Sequence, residues 1–166
     1  MQAIIKIFDA FLKHFLIFLM AALVTAVSWQ VISRYVFTSP SSWTEEVARF
    51  LLIWVGVLGA AYAFRTGVHL GLDVLPKKLT GKAAQSLKLF ILFMVAVFSV
   101  AVLVIGGGSL VLLTWELKQY SAVLGLPIAF VYSVIPLAGI LICFYAFAAA
   151  MGEEIGEPED MAQPES

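Results

Sequence analysis

Charge is scarce in this chain, and cysteine is nearly absent. Of 166 residues, 13% are Asp, Glu, Lys or Arg and 62% are hydrophobic; soluble domains carry about 25% charged and about 45–50% apolar residues. Mean hydropathy is +1.01, and the apolar runs are too long for core strands or buried helices. The composition is that of an integral membrane protein, too small to be a large transporter or a multidomain enzyme by itself. The lone cysteine, Cys143, excludes an intrachain disulfide and a cysteine-based metal cluster. The only two histidines, His14 and His69, fall at expected helix ends, where they cannot face each other across a bundle core to hold haem. Nothing in the length or charge pattern suggests nucleic-acid binding.

The charge that is present is unevenly placed. Six of the eleven acidic residues (Glu153, Glu154, Glu157, Glu159, Asp160 and Glu165) lie in the last fourteen positions, so the remaining body carries ten basic and five acidic residues. The near-neutral net charge thus averages a basic membrane body with an acidic tail. That tail, 152–166, is rich in Glu and Pro and is expected to be disordered.

Charge-free runs cover 15–33, 50–64, 89–115 and 119–152. About 20 residues cross a bilayer, so the first and third runs each span once. The second becomes long enough if Ser42-Trp43-Thr44-Glu45 acts as a capping box and Gly67 as a stop. The fourth breaks at Gly125-Leu-Pro127. The expected fold is an all-α membrane domain over 1–151, with four transmembrane helices near 12–36, 43–65, 84–115 and 128–151. The first run is too long for a signal-peptide core and lacks a small-x-small cleavage site before Arg34, so it is read as a span. Pro136 should kink the fourth helix.

Orientation follows the basic residues. Lys6, Lys13, Arg65, Lys77, Lys78, Lys82 and Lys88 lie on one side, and Arg34, Arg49 and Lys118 on the other. The excess places both termini in the cytoplasm.

The centres of the spans hold no charge, whereas ion relays and substrate sites usually need it. The chain is therefore not expected to carry substrate alone. Glu45, Glu46 and Arg49 open the second helix; they admit a proton-coupled carboxylate, as in small four-helix exporters, but an interfacial ion-pair cluster with Arg34 is the simpler reading. Arg65, His69 and Asp73 lie on the cytoplasmic side. A helical reading of that segment gives a short amphipathic surface helix between the second and third spans, ended by Pro76. One His and one Asp are too few for a metal site. Gly106, Gly107 and Gly108 suit close helix packing better than an unwound ion site, and Trp43 and Trp115 suit an outer aromatic belt.

One stretch is recognisable: Arg34-Tyr35-Val36-Phe37, Pro40, Trp43-Thr44-Glu45-Glu46, Ala48-Arg49, then Gly59-Ala60, Ala63-Phe64-Arg65, Gly67, His69 and Asp73. It resembles the small, DctQ-like membrane subunit of tripartite ATP-independent periplasmic (TRAP) transporters over about forty consecutive residues. The resemblance implies a multi-pass subunit of a bacterial or archaeal cytoplasmic membrane, not an enzyme and without a cofactor of its own. Such systems import organic acids, of dicarboxylate or sialic-acid type, on a sodium gradient. A large multi-spanning subunit holds substrate and sodium and moves them by an elevator motion, and a periplasmic binding protein delivers the substrate. The small subunit would belong to the static scaffold and the docking surface. Arg34, Trp43, Glu45, Glu46 and Arg49 would then form an outer-interface cluster, and Arg65, His69 and Asp73 would fix the cytoplasmic turn. The competing readings are a self-sufficient homo-oligomeric exporter or channel using Glu45 or Glu46, and a membrane-bound redox or enzyme subunit, which the poor ligand inventory opposes.

Overall fold

The computed structural model of the chain describes residues 2–37, 41–67 and 82–152. Helices α1 (Gln2–Tyr35), α2 (Ser42–Arg65), α3 (Lys82–Phe98), α4 (Gly107–Glu116), α5 (Ile128–Tyr132) and α6 (Val134–Ala150) are joined by a π-helical segment, Ser99–Gly106, that links α3 to α4. They compose four spans long and apolar enough to cross a membrane: Ile5–Tyr35, Ser42–Arg65, Gln85–Glu116 and Ile128–Ala150. The expected all-α, four-span architecture is therefore present. The surface helix expected around His69 and Asp73, and the acidic tail, lie outside the described residues.

The spans pack in a row, not as a closed bundle. The backbone of α1 approaches only α2, α2 packs against α5 and α6, and α6 packs against α3, the π segment and α4. The order across the row is first, second, fourth, third. Burial follows it: 6% of the first span's apolar window is buried, against 33% of the fourth's. Along α1 the buried positions Ile5, Leu12, Leu19 and Ser33 fall on multiples of seven residues, so one narrow seam faces α2 and the rest faces outward. In lipid the outward apolar side chains need no further cover, which permits an open row that water would not.

Two local features differ from expectation. Helix α1 begins at Gln2, ten residues ahead of the expected start, because Lys6 and Asp9 interrupt the apolar run without interrupting the helix. The expected capping box also does not form. Ser42 is already helical, and the N-cap is Ser41, whose side chain makes no capping bond. The Thr44 hydroxyl donates to the Ser41 carbonyl at 2.8 Å, while Glu45 turns away toward Arg49.

The third and fourth spans are both irregular where they touch. At the end of the π segment the Gly107 N–H reaches back five residues to the Val102 carbonyl, and the chain continues as α4 without unwinding. Opposite it, Ser133 separates α5 from α6. Pro136, three residues on, has no N–H to offer the Tyr132 carbonyl, the last residue of α5, and its ring crowds that turn. The indole N–H of Trp54 donates to the Val131 carbonyl at 3.1 Å beside this break, tying α2 to the fourth span.

Candidate functional site

The polar side chains of the row gather at its two ends. At the α2 N-terminus, the Glu46 carboxylate leaves its own helix and accepts the backbone N–H groups of Ala122 (3.1 Å), Val123 (3.1 Å) and Leu124 (2.9 Å). These are charge-assisted bonds to three successive amides, and they fasten the loop between the third and fourth spans to the start of the second. The loop is also braced internally. Ser121 N–H donates to the Leu126 carbonyl at 2.8 Å, Ile128 N–H to the Gln119 carbonyl at 2.9 Å, and Gly125 N–H to the Ser121 carbonyl at 3.2 Å, with Gly125 at φ 65°.

The other residues expected in an outer cluster do not join this clamp. Arg49 Nη2 sits 3.2 Å from Glu45 Oε1, both side chains more than half exposed; such a one-turn surface pair contributes little to stability. Arg34 is exposed and pairs with none of the described residues. Trp43 is 52% exposed, on the outside of the row. The helix period explains the split: Glu45 and Arg49 are one turn apart on the outer face, whereas Glu46 is turned about 100° further, toward the loop.

At the opposite end of the row, Arg65 Nε lies 3.0 Å from Asp9 Oδ2, with side chains 17% and 20% exposed. The pair joins the last residue of α2 to α1. Tyr145 of α6, 1% exposed, completes the group: the Arg65 guanidinium lies 6.0 Å from its ring centroid. Three helices meet there through one acid, one base and one ring. Arg65 is expected to fix a turn with His69 and Asp73; both of those lie outside the described residues, and among the described residues Arg65 bonds Asp9. Asp9 escaped sequence reasoning because it lies ahead of the expected first span. The signal available was an acid three residues after Lys6 and four before Lys13, on a segment with helical apolar spacing.

Between the ends, contact is made by small residues. A Cβ added to Gly139 would fall 2.8 Å from Leu103 Cβ, 2.9 Å from Val104 Cγ2 and 3.2 Å from the Val104 nitrogen. Here α6 lies against the π segment, and the buried Ser99 hydroxyl donates to the Gly139 carbonyl at 2.9 Å. A Cβ on Gly107 would meet Ile135 Cγ2 at 2.7 Å and Pro136 Cδ at 3.2 Å. Gly106 and Gly108, expected to share this role, have only an ordinary contact and open space, respectively. The close approach thus uses one glycine of the run and Gly139. The spacing of Gly139 and Cys143, small residues one turn apart, was its sequence signal. Cys143 Sγ lies 3.9 Å from the Ala96 carbonyl on the same seam. Among the described residues, no three His, Cys, Asp or Glu side chains converge as metal ligands.

The chemistry of this arrangement is cohesion: carboxylates fasten loops and helices, and glycines admit neighbours. The family model described as tripartite ATP-independent periplasmic transporters, DctQ component, matches residues 23–153. The chain is similar to the C4-dicarboxylate TRAP transporter small permease protein DctQ of Rhodobacter capsulatus, 34% identical over 110 residues, which are 66% of this chain and 48% of that protein. The chain thus spans about half the length of that relative. It is also similar to the sialic acid TRAP transporter small permease protein SiaQ of Vibrio cholerae serotype O1, 30% identical over 131 residues, covering 76% and 71% of the two chains. A third likeness, 37% over 68 residues, is to the sialic acid TRAP transporter permease protein SiaT of Haemophilus influenzae, covering 41% of this chain and 11% of that one. This multi-pass membrane protein belongs to the DctQ-component family of tripartite ATP-independent periplasmic transporters.

Proposed function

We propose that this chain is the small permease subunit of a TRAP transporter that imports an organic acid of the C4-dicarboxylate or sialic-acid class. In this reading it is a non-catalytic scaffold. Substrate and sodium are carried by a large multi-spanning partner in the same cytoplasmic membrane, a periplasmic protein delivers the substrate, and both termini of this chain are cytoplasmic.

The observation that carries the reading is the use made of the acids in the first two spans. Asp9 holds Arg65, Glu45 pairs with Arg49, and Glu46 is engaged by three backbone N–H groups. A transport carboxylate must exchange its partner in every cycle; Asp9 and Glu46 are instead part of the chain's own framework, and Glu45 lies in an exposed one-turn pair at the helix start. The relatives support a large partner. Sixty-eight residues are 11% of the Haemophilus permease, a chain of about 620 residues, so a segment like this one occurs there within a much larger permease polypeptide. An open row, with apolar side chains on both faces, also offers a broad lateral surface to such a partner. A homo-oligomeric exporter built on Glu46 would have to break three hydrogen bonds to titrate it, and the loop 122–124 would be released on every turnover.

The test is affinity purification from the native membrane in mild detergent, with mass spectrometry of what accompanies the chain, followed by reconstitution. The expected result is a stoichiometric, much larger polytopic partner, with uptake of an organic acid only when that partner, the binding protein and a sodium gradient are all present. Recovery of this chain alone as a defined homo-oligomer that transports by itself would overturn the reading.

A further inference from the structure

We propose that the pocket where the third span ends is a site for the headgroup phosphate of an anionic phospholipid. The pocket has a volume of about 140 Å³ and is lined by Thr114, Trp115, Lys118, Gln119, Tyr120 and Pro127. It lies at the level where the apolar span gives way to Glu116 and Lys118, the depth of lipid headgroups, and it carries the Trp and Tyr typical of that depth. Its lining contains one cation and no acid.

The backbone places that cation deliberately. Helix α4 closes with Lys118 N–H on the Trp115 carbonyl (3.0 Å) and Gln119 N–H on the Thr114 carbonyl (3.1 Å), the paired bonds of a Schellman cap. The left-handed residue of such a cap is usually glycine. Here it is Lys118, at φ 48°, the one non-glycine residue with positive φ among those described. A side chain kept where glycine is the easier choice points to a use for that side chain. Lys118, Gln119 and Tyr120 of the lining carry an ammonium, an amide and a hydroxyl, all groups able to donate to a phosphate oxygen. Gln119 and Tyr120 are held in place by the bonds that brace the loop from Gln119 to Ile128, which Glu46 clamps from α2.

The walls distinguish a lipid from a soluble anion. The Trp115 ring is fixed edge-on against Phe130, centroids 6.0 Å apart at 83°. Below it, one turn back on α4, Leu112 is 65% exposed, and Phe130 is 61% exposed. A headgroup in the pocket would lead its acyl chain onto this apolar strip, whereas a small free acid has no use for it. The site is independent of which substrate the transporter carries, and its test needs no transport.

The experiment is native mass spectrometry of the delipidated protein, with any partner that co-purifies, titrated with phosphatidylglycerol or phosphatidylcholine in detergent. Phosphatidylglycerol should bind more tightly than phosphatidylcholine. Lys118→Gln should weaken one phosphatidylglycerol site about fivefold, the effect of one basic residue near an anionic headgroup. Lys118→Arg should retain it, and Lys88→Gln, at the other end of the same span, should leave it unchanged. Gln119→Ala, which leaves the cap backbone intact, should weaken the site in the same direction, so the test survives if Lys118→Gln misfolds. Undiminished binding in Lys118→Gln and Gln119→Ala, or an equal loss in Lys88→Gln, would overturn the proposal. Displacement of the lipid by millimolar succinate would overturn it too, by assigning the pocket to a soluble acid.

Discussion

Replacing Gly139 by alanine adds one methyl group where α6 packs directly against the backbone of the π segment, and its cost follows from what that methyl would meet. Its position is 2.8 Å from Leu103 Cβ and 3.2 Å from the Val104 backbone nitrogen. Neither atom can move aside by a side-chain rotation, so α6 must shift from the π segment. Overpacking of this kind costs about 1–3 kcal/mol. The shift also stretches the Ser99 hydroxyl bond to the Gly139 carbonyl, and interhelical bonds of this type in membranes are worth about 0.6 kcal/mol and at most about 1.7. The total is about 2–5 kcal/mol, measured against a helical glycine-to-alanine change that meets nothing. Gly108→Ala is the internal control, because a Cβ there meets nothing within 4 Å, and removing a helical glycine should stabilise by about 0.5–1 kcal/mol. Gly107→Ala should fall between the two, since its nearest obstacle is the Cγ2 of Ile135, a side chain with some freedom to turn. Unfolding of each variant in mixed micelles with increasing SDS measures the series. A Gly139→Ala variant within about 0.5 kcal/mol of Gly108→Ala would refute the claim that this contact sets the spacing of the third and fourth spans.

Asp9→Asn should destabilise by about 1–3 kcal/mol, less than a fully buried pair because the Asp9 and Arg65 side chains are 20% and 17% exposed. The double variant Asp9→Leu/Arg65→Leu should lose less than the sum of Asp9→Leu and Arg65→Leu, and strict additivity in that cycle would show that the two residues act separately. Glu46→Gln should speed amide exchange at Ala122, Val123 and Leu124 while leaving the third span protected; hydrogen-exchange mass spectrometry that finds this loop unchanged would remove Glu46 as its clamp. Lys118→Gly should raise thermal stability in detergent by about 1–2 kcal/mol, the cost of holding an L residue in the left-handed region, even as it empties the lipid pocket of its cation. A fall in stability would show that the lysine side chain, not the backbone geometry, governs that corner.

The four spans were legible in the sequence because membrane insertion is decided by hydropathy summed over about twenty residues, a quantity that survives ignorance of every contact. Positions where a charge met an apolar segment were harder. Starting the first span near residue 12 leaves out Gln2 to Phe11, since Lys6 and Asp9 look like solvent there. In the structure Asp9 has Arg65 as partner, fifty-six positions away, and the helix runs through. Glu46 could be placed at the start of α2, but its partners are backbone N–H groups seventy-six to seventy-eight positions on, and a backbone amide leaves no mark in residue type. The glycine run drew attention by its length, yet only Gly107 is close to a neighbour. Gly139, isolated between Ala138 and Ile140, is as closely approached, and there the neighbour includes a backbone nitrogen. Whether a small residue is an interface depends on what the neighbouring helix presents, and that is a property of the pair.

The two clamps and the glycine seam divide one task between them. In lipid, apolar burial does not by itself draw one helix toward another, so the row needs specific contacts to fix its order. The seam sets the distance between the third and fourth spans near their middles. Glu46 ties the loop joining those spans to the second, and the Asp9–Arg65–Tyr145 group ties the first, second and fourth at the far end. Each tie joins elements distant in sequence, and together they reach all four spans. Such a row keeps both broad faces apolar, because its polar ties lie at its two ends or, like Ser99 with Gly139 and Trp54 with Val131, between its helices. The static scaffold proposed above requires such an arrangement. It holds shape through side chains that face inward or lie at the membrane boundaries, and leaves its lateral surface free for lipid and for a larger neighbour.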